Sequence, residues 1–273
     1  MRKKERRRET EWVIPVLLAV GAGVALWYYW MRVNAPEPPV PEEPPPAVVE
    51  EEPPHIGPVH PIAPPEPDVT DRPDLVPLPP LDQSDEYFKL EIDSLYGDAL
   101  SDLLEETGII ERIVATVDNL PRSHVAERIR PVGRLSTEFD VDGREGGDEF
   151  TISSDNHERY RFLVDVMTSV DAADVIDVYR RFYPLFQSAY VELGYPDAYF
   201  NDRLVEVIDH LLETPEPEGP LVVVRPNVLF EYADPALESL SSGQKLLLRM
   251  GPENATRVKQ VLEQLREEVT QAP

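Results

Sequence analysis

Asp202, Glu206 and Asp209 stand at i, i+4 and i+7 in one stretch of the chain. On a helix that spacing places all three on one face. Paired carboxylates, one protonated and one ionised, are what cleavage of a glycosidic bond requires. Asn201, Arg203 and His210 lie in the same stretch and add amide, guanidinium and imidazole groups. An acidic helix face on an acidic domain also serves simply as its solvated side. Arg180 and Arg181, between Tyr179 and Tyr183, have the makings of an anion grip, and Arg225 is a further cation. The binding candidates are therefore Arg180, Asn201, Arg203 and Arg225. Asp202, Glu206 and Asp209 are the acids that a hydrolase or lyase would use.

Other motif matches are too short or too incomplete to build a reaction on. Ser242-Gly-Gln-Lys245 fits S-x-x-K and Ser154-Asp-Asn156 fits S-D-N, both of the penicillin-binding and β-lactamase group. Here their order is reversed and K-T-G is missing. Asp140-Val-Asp142 has the start of a calcium loop, but position five is Arg144 and position six, where glycine is needed, is Glu145. A turn is the better reading. Cysteine is absent, which excludes disulfides, thiolate zinc sites and cysteine nucleophiles. No metal and no cofactor is expected.

The acids need a helix to hold them, and the sequence supplies one over 199–213. Leu204, Val207, Ile208 and Leu211 form its inner stripe, with Asp202, Glu206, Asp209 and Glu213 turned outward. The helix before it runs from an Asp171 cap to about residue 193. Val175, Val178, Phe182, Leu185 and Ala189 make its stripe, and Tyr179, Tyr183, Phe186 and Tyr190 widen the apolar arc. A helix this apolar belongs at the centre of a domain, with Pro184 as a kink point. Further helices are expected over 81–95, 99–107, 109–120, 156–170, 235–250 and 252–269. Alternation around the glycines at 143, 146 and 147 marks a hairpin over 134–153, and 221–224 with 228–232 a second strand pair. The distal domain is thus α+β, mainly α-helical, with two short β-hairpins.

The chain upstream sets where this domain lives. Residues 12–31, from Trp12 to Met31, hold no Asp, Glu, Lys, Arg or His. At about 1.5 Å per residue they span roughly the 30 Å hydrocarbon layer as a helix. Six Lys/Arg occupy the first nine residues, and only Arg32 follows the apolar run before an acidic tract. Basic residues stay on the cytoplasmic side, so residues 1–11 read as a cytoplasmic tail and the rest as periplasmic. From Pro36 to Pro80 the chain holds 18 prolines, ten Asp/Glu and one Arg. Such a tract forms neither helix nor ladder, and residues 32–80 read as a disordered linker. The domain, 81–273, carries 18 basic against 39 acidic residues, which excludes nucleic acid as a partner.

Longer strings then accumulate in order: Ala115-Thr-Val-Asp-Asn-Leu-Pro-Arg122, Tyr179-Arg-Arg-Phe-Tyr-Pro-Leu185, Gly194-Tyr-Pro196, Tyr199 to Leu212, and Ser242-Gly-Gln-Lys-Leu-Leu-Leu-Arg-Met-Gly-Pro-Glu-Asn254. In these the chain resembles the bacterial family catalogued as domain of unknown function 3014. The resemblance implies an anchor, a proline-rich spacer and an envelope domain, and brings no mechanism with it. The layout is also similar to that of TonB-like energy transducers, which use a polar residue in the anchor that residues 12–31 lack. The sequence reading is a single-pass bacterial inner-membrane protein, with the bilayer and an envelope protein or the cell wall as partners. Its domain is a binding or scaffolding module, with a cell-wall hydrolase or lyase as the alternative. A cytoplasm-facing layout, as in ZipA-like division proteins, is separated by one measurement. Alkaline phosphatase fused after residue 273 is expected to be active, and a fluorescent protein there that folds only in the cytoplasm is expected to stay dark.

Overall fold

The structure, a computed structural model, describes residues 57–62, 77–97, 100, 103–133, 139–143, 148–227 and 229–271. The basic tail, the apolar run and most of the linker lie outside these residues. In chain order the described elements are α1 (Asp85–Tyr96), α2 (Ile109–Asn119), β1 (Val141–Asp142), β2 (Glu149–Ile152), α3 (Asp155–Met167) and α4 (Ala172–Glu192). They continue with α5 (Phe200–Leu212), β3 (Val222–Val224), β4 (Glu231–Tyr232), α6 (Pro235–Glu238), α7 (Ser242–Met250) and α8 (Pro252–Thr270).

The wide apolar arc makes α4 the pillar of the main core. Asp171 caps it, its Oδ1 accepting from the Ala173 N–H at 3.2 Å. Its buried face is Ala172, Ile176, Tyr179, Phe182, Leu185, Phe186, Ala189 and Tyr190. Phe182 is wholly buried, with the Phe88 ring of α1 edge-on at 5.3 Å. Ile109, Ile110 and Val114 of α2, Phe200 and Val205 of α5, and Val269 of α8 complete this core. Pro184 has no N–H for the Arg180 carbonyl, yet the helix continues through it to Glu192.

Aspartate also closes α2, but from a distance. The Asp85 carboxylate of α1 accepts from the Gly108 N–H at 2.9 Å and the Ile109 N–H at 2.8 Å. It does the work of an N-cap, because Gly108 has no side chain to do so.

The two expected hairpins meet edge to edge. The strands form one antiparallel sheet in the order β1-β2-β3-β4, with Val141 opposite Ile152, Phe150 opposite Val223 and Val223 opposite Tyr232. Ile152, Val223 and Tyr232 bury their side chains with Leu248 of α7. The domain is mainly helical with this one small sheet.

Two expected helices differ. The span 235–250 is two helices, because Ser241 and Gln244 form a capping box that starts a new one. A serine followed three residues later by glutamine satisfies two N–H groups reciprocally, which outweighs continuing the first helix. In 99–107 residue 100 is helical, but residues 103–107 are not: Leu104 forms an antiparallel bridge with Val132. The Glu105 N–H and Leu103 carbonyl engage Pro131 and Gly133.

Where α7 starts, the Gly243 N–H donates to the Leu120 carbonyl at 3.0 Å. A Cβ on Gly243 would meet Leu211 Cδ2 at 2.6 Å and the Leu120 side chain at 3.2 Å. An interior helical glycine usually gains about 1 kcal/mol on conversion to alanine. Here Gly243→Ala is expected to lose roughly 1–3 kcal/mol through overpacking. The urea midpoint of the variant, at unchanged slope, measures the sign.

Candidate functional site

The start of α5 is where the sequence-level candidates gather. Its N-cap residue, Tyr199, supplies no side-chain cap. Gln187 of α4 takes that task, its Oε1 accepting from the Phe200 N–H at 2.9 Å and its Nε2 donating to the Ala198 carbonyl at 2.8 Å. The Tyr183 hydroxyl donates to the same Oε1 at 3.2 Å. Behind this lies Asn201, with 0 % of its surface exposed. Its Oδ1 accepts from the Tyr179 hydroxyl at 3.1 Å. Its Nδ2 donates at 2.8 Å to the carbonyl of His60, a residue 141 positions earlier in the chain.

Asp202 completes the contact with that distant segment. Its Oδ2 accepts from the Val59 N–H at 3.0 Å, and its Oδ1 from the His60 N–H at 2.7 Å. Consecutive N–H groups of an extended strand point opposite ways. Reaching one carboxylate with both demands a bend, and the chain bends at Val59 and His60. Both bonds are charge-assisted, and the first turn of a helix is where a carboxylate is electrostatically favoured. Ile62 packs against the main core, while Val59 leaves 72 % of its surface in solvent. Residues 57–62 therefore sit in the same compact unit as the helices, Ile56–Pro273.

The phenols behind the site are held in their protonated, donating form. Burial, with the neighbouring Tyr183 and the Asp202 charge adding to it, holds the Tyr179 hydroxyl well above its usual range. Burial also pushes Tyr183 up to about 12, an effect the Asn201 backbone N–H reduces and the Asp202 charge increases. Both are protonated at neutral pH.

Arg203, the next residue, faces away from the segment and anchors the helix. Its Nε lies 3.1 Å from Asp118 Oδ1, its Nη2 donates to the Asp118 carbonyl at 2.9 Å, and its Nη1 lies 2.8 Å from Glu206. Asp118 is buried and is also met by Arg122 at 2.7 Å and the Tyr195 hydroxyl at 3.3 Å. This charge is taken out of water with its partners in place, which is the condition for tolerating it.

The remaining candidates divide. Asp202, Glu206 and Asp209 do share a helix face, but each has its own partner: the bent segment, Arg203, and Arg266 of α8. They do not converge on one point. Arg180 donates to the Glu268 carbonyl at 2.9 Å and ties α4 to the end of α8. Arg225 lies over the Phe230 ring, 5.5 Å from its centre. The Ser242 hydroxyl donates to the Arg122 carbonyl at 2.7 Å, while Lys245 is paired with Glu238, so the S-x-x-K residues work apart. Asn156 of S-D-N is buried and bonds to Asp140 and to the Ser153 carbonyl, locking the start of α3 to the residue that precedes β1. No group of His, Asp and Glu among the described residues is arranged to hold a metal.

Asn201 and Asp202 stand out in the sequence, whereas the support from the Tyr179 hydroxyl and Gln187, and the segment held at residues 59 and 60, come from parts of the chain far from them. One signal was available: residues 53–65 contain no charged residue in a linker otherwise studded with acids.

Fold and site together define a mainly helical α+β domain that receives a bent stretch of polypeptide at a helix terminus. The chain belongs to the family described as Protein of unknown function (DUF3014), which it matches over residues 109–266. No curated protein and no solved structure matches it. The matched residues take in Tyr179, Gln187, Asn201 and Asp202, while residues 57–62 precede them.

Asp202→Ala is expected to release residues 57–62. Amide exchange at Val59 and His60 should rise at least tenfold while α4 amides keep their protection, and stability should fall by roughly 1–3 kcal/mol. Backbone exchange followed by NMR checks both.

Proposed function

We propose that this chain is a single-pass inner-membrane protein presenting a periplasmic binding or scaffolding module to the cell envelope. The observation that carries the binding part is the Asn201–Asp202 pair, which grips polypeptide by its main chain. A surface that holds one stretch of polypeptide through backbone groups is equipped to hold polypeptide generally. The partitioned carboxylates favour this reading over hydrolysis, since Glu206 and Asp209 each pair with an arginine instead of flanking a cleft with Asp202.

The membrane part rests on the uncharged residues 12–31 and on the basic residues that precede them. None of the described helices is long and apolar enough to cross a membrane. Residues 12–31 therefore carry the anchor reading alone. The module's partner is an envelope protein or the cell wall.

Photo-crosslinking in cells tests the module. A benzophenone amino acid at exposed position 59 or 206, beside the site, is expected to give a reproducible adduct with an envelope component. Its absence across several growth conditions, with the chain at normal abundance, overturns the reading.

A further inference from the structure

We propose that the start of α5 is an exchangeable peptide site, at which an acid-free Pro-X-X-Pro segment of a partner protein takes the place of residues 57–62. The inference rests on the binding-module reading and gives that module its ligand class.

The geometry defines the ligand. Residues 58–61 read Pro-Val-His-Pro, and proline has no N–H, so Val59 and His60 carry the only two main-chain donors in these four residues. Asp202 accepts from both, and Asn201 donates to the carbonyl that follows them. Prolines on either side restrict the backbone and lower the entropy lost when the bend is captured. The site reads main chain rather than side chains: Val59 is 72 % exposed.

What the site does read is charge. Two further Pro-X-X-Pro stretches of the linker keep both inner N–H groups, the uncharged Pro61-Ile-Ala-Pro64 and Pro41-Glu-Glu-Pro44, and the two acids of the latter would bring like charge close to the Asp202 carboxylate. The segment in place comes instead from the uncharged stretch 53–65. A partner segment must likewise lack acids, and basic residues beside its prolines would add attraction. A second copy of this chain is the poorer occupant, because each carries a net charge of -26 and two copies repel.

Asn201 makes the site hungry for an acceptor. Its side chain is fully buried, and its Nδ2 has the His60 carbonyl as the acceptor outside its own helix. With residues 57–62 gone that N–H must turn to water, and a polypeptide carbonyl at the same point restores a hydrogen bond sheltered from solvent. The chain's own segment is held by three hydrogen bonds and the packing of Ile62. Its advantage over a competitor is tethering, an effective concentration on the order of mM for a short linker. A partner that makes a second contact elsewhere overcomes that advantage.

The test uses the full chain in detergent and a fluorescent peptide copying residues 53–65. Val59→Pro with His60→Pro removes both donors and vacates the site, and Val59→Glu with His60→Glu vacates it by charge. Either double variant is expected to bind the peptide at least tenfold more tightly than the unaltered chain. Adding Asp202→Ala, or placing glutamates at positions 59 and 60 of the peptide, should abolish binding. Thermal unfolding by circular dichroism identifies which double variant keeps the native fold, and that one is read. Binding no tighter than to the unaltered chain, or binding that survives Asp202→Ala, overturns the proposal. So does sedimentation showing a dimer that the peptide dissolves, which assigns the site to a second copy. An envelope adduct that persists with Asp202→Ala overturns the exchange while leaving the module reading standing.

Discussion

A side-chain amide shut away from water governs how three parts of this chain meet. Asn201 cannot be solvated, so its carbonyl needs a donor and its NH2 an acceptor, and the fold must bring both. Tyr179 arrives from α4 and His60 from far upstream. An aromatic wall surrounds the junction: Phe186 stacks on Phe200 at 5.7 Å, and Tyr179 lies 5.3 Å from Phe186. Such surroundings strengthen each hydrogen bond that is made and raise the cost of each that is not. The register of α4 against α5 is thus pinned by polar pairing inside an apolar contact that would tolerate sliding.

Three consecutive residues divide the labour at this point. Asn201 points into the core, Asp202 holds the bent segment, and Arg203 reaches to Asp118 at the end of α2. Successive residues on a helix differ by about 100° in direction, so neighbours in sequence serve different surroundings. Because Arg203 is fixed by a buried carboxylate and Gln187 closes the first turn, Asp202 projects from a rigid base. A carboxylate meeting two N–H groups at hydrogen-bond distance needs that rigidity.

How much of this was legible in the sequence follows from how local each signal is. The Asp171 cap, the apolar arc of α4 and the strand pair over 221–232 rest on residues a few positions apart, and each appears where periodicity places it, as do the described parts of the hairpin over 134–153. The acidic face of α5 was legible too, but its partners were not, since Arg266 and residues 59 and 60 are distant in sequence. The break before α7 was written in Ser241 and Gln244, and the apolar spacing across 235–250 masked it. The caps of α2 and α5 come from Asp85 and Gln187, side chains of other helices, and no local rule finds those. The docked segment was hidden by composition: prolines argue against regular structure and say nothing against a fixed bend.

The long separation between Val59 and Asp202, 143 residues, has a consequence for the order of events in a growing chain. The segment leaves the ribosome well before the carboxylate that will seize it. Throughout that interval the newly made stretch lacks the carboxylate and amide that hold it in the folded chain. Closure is therefore a late step in maturation, taken only once α4 and α5 have come together.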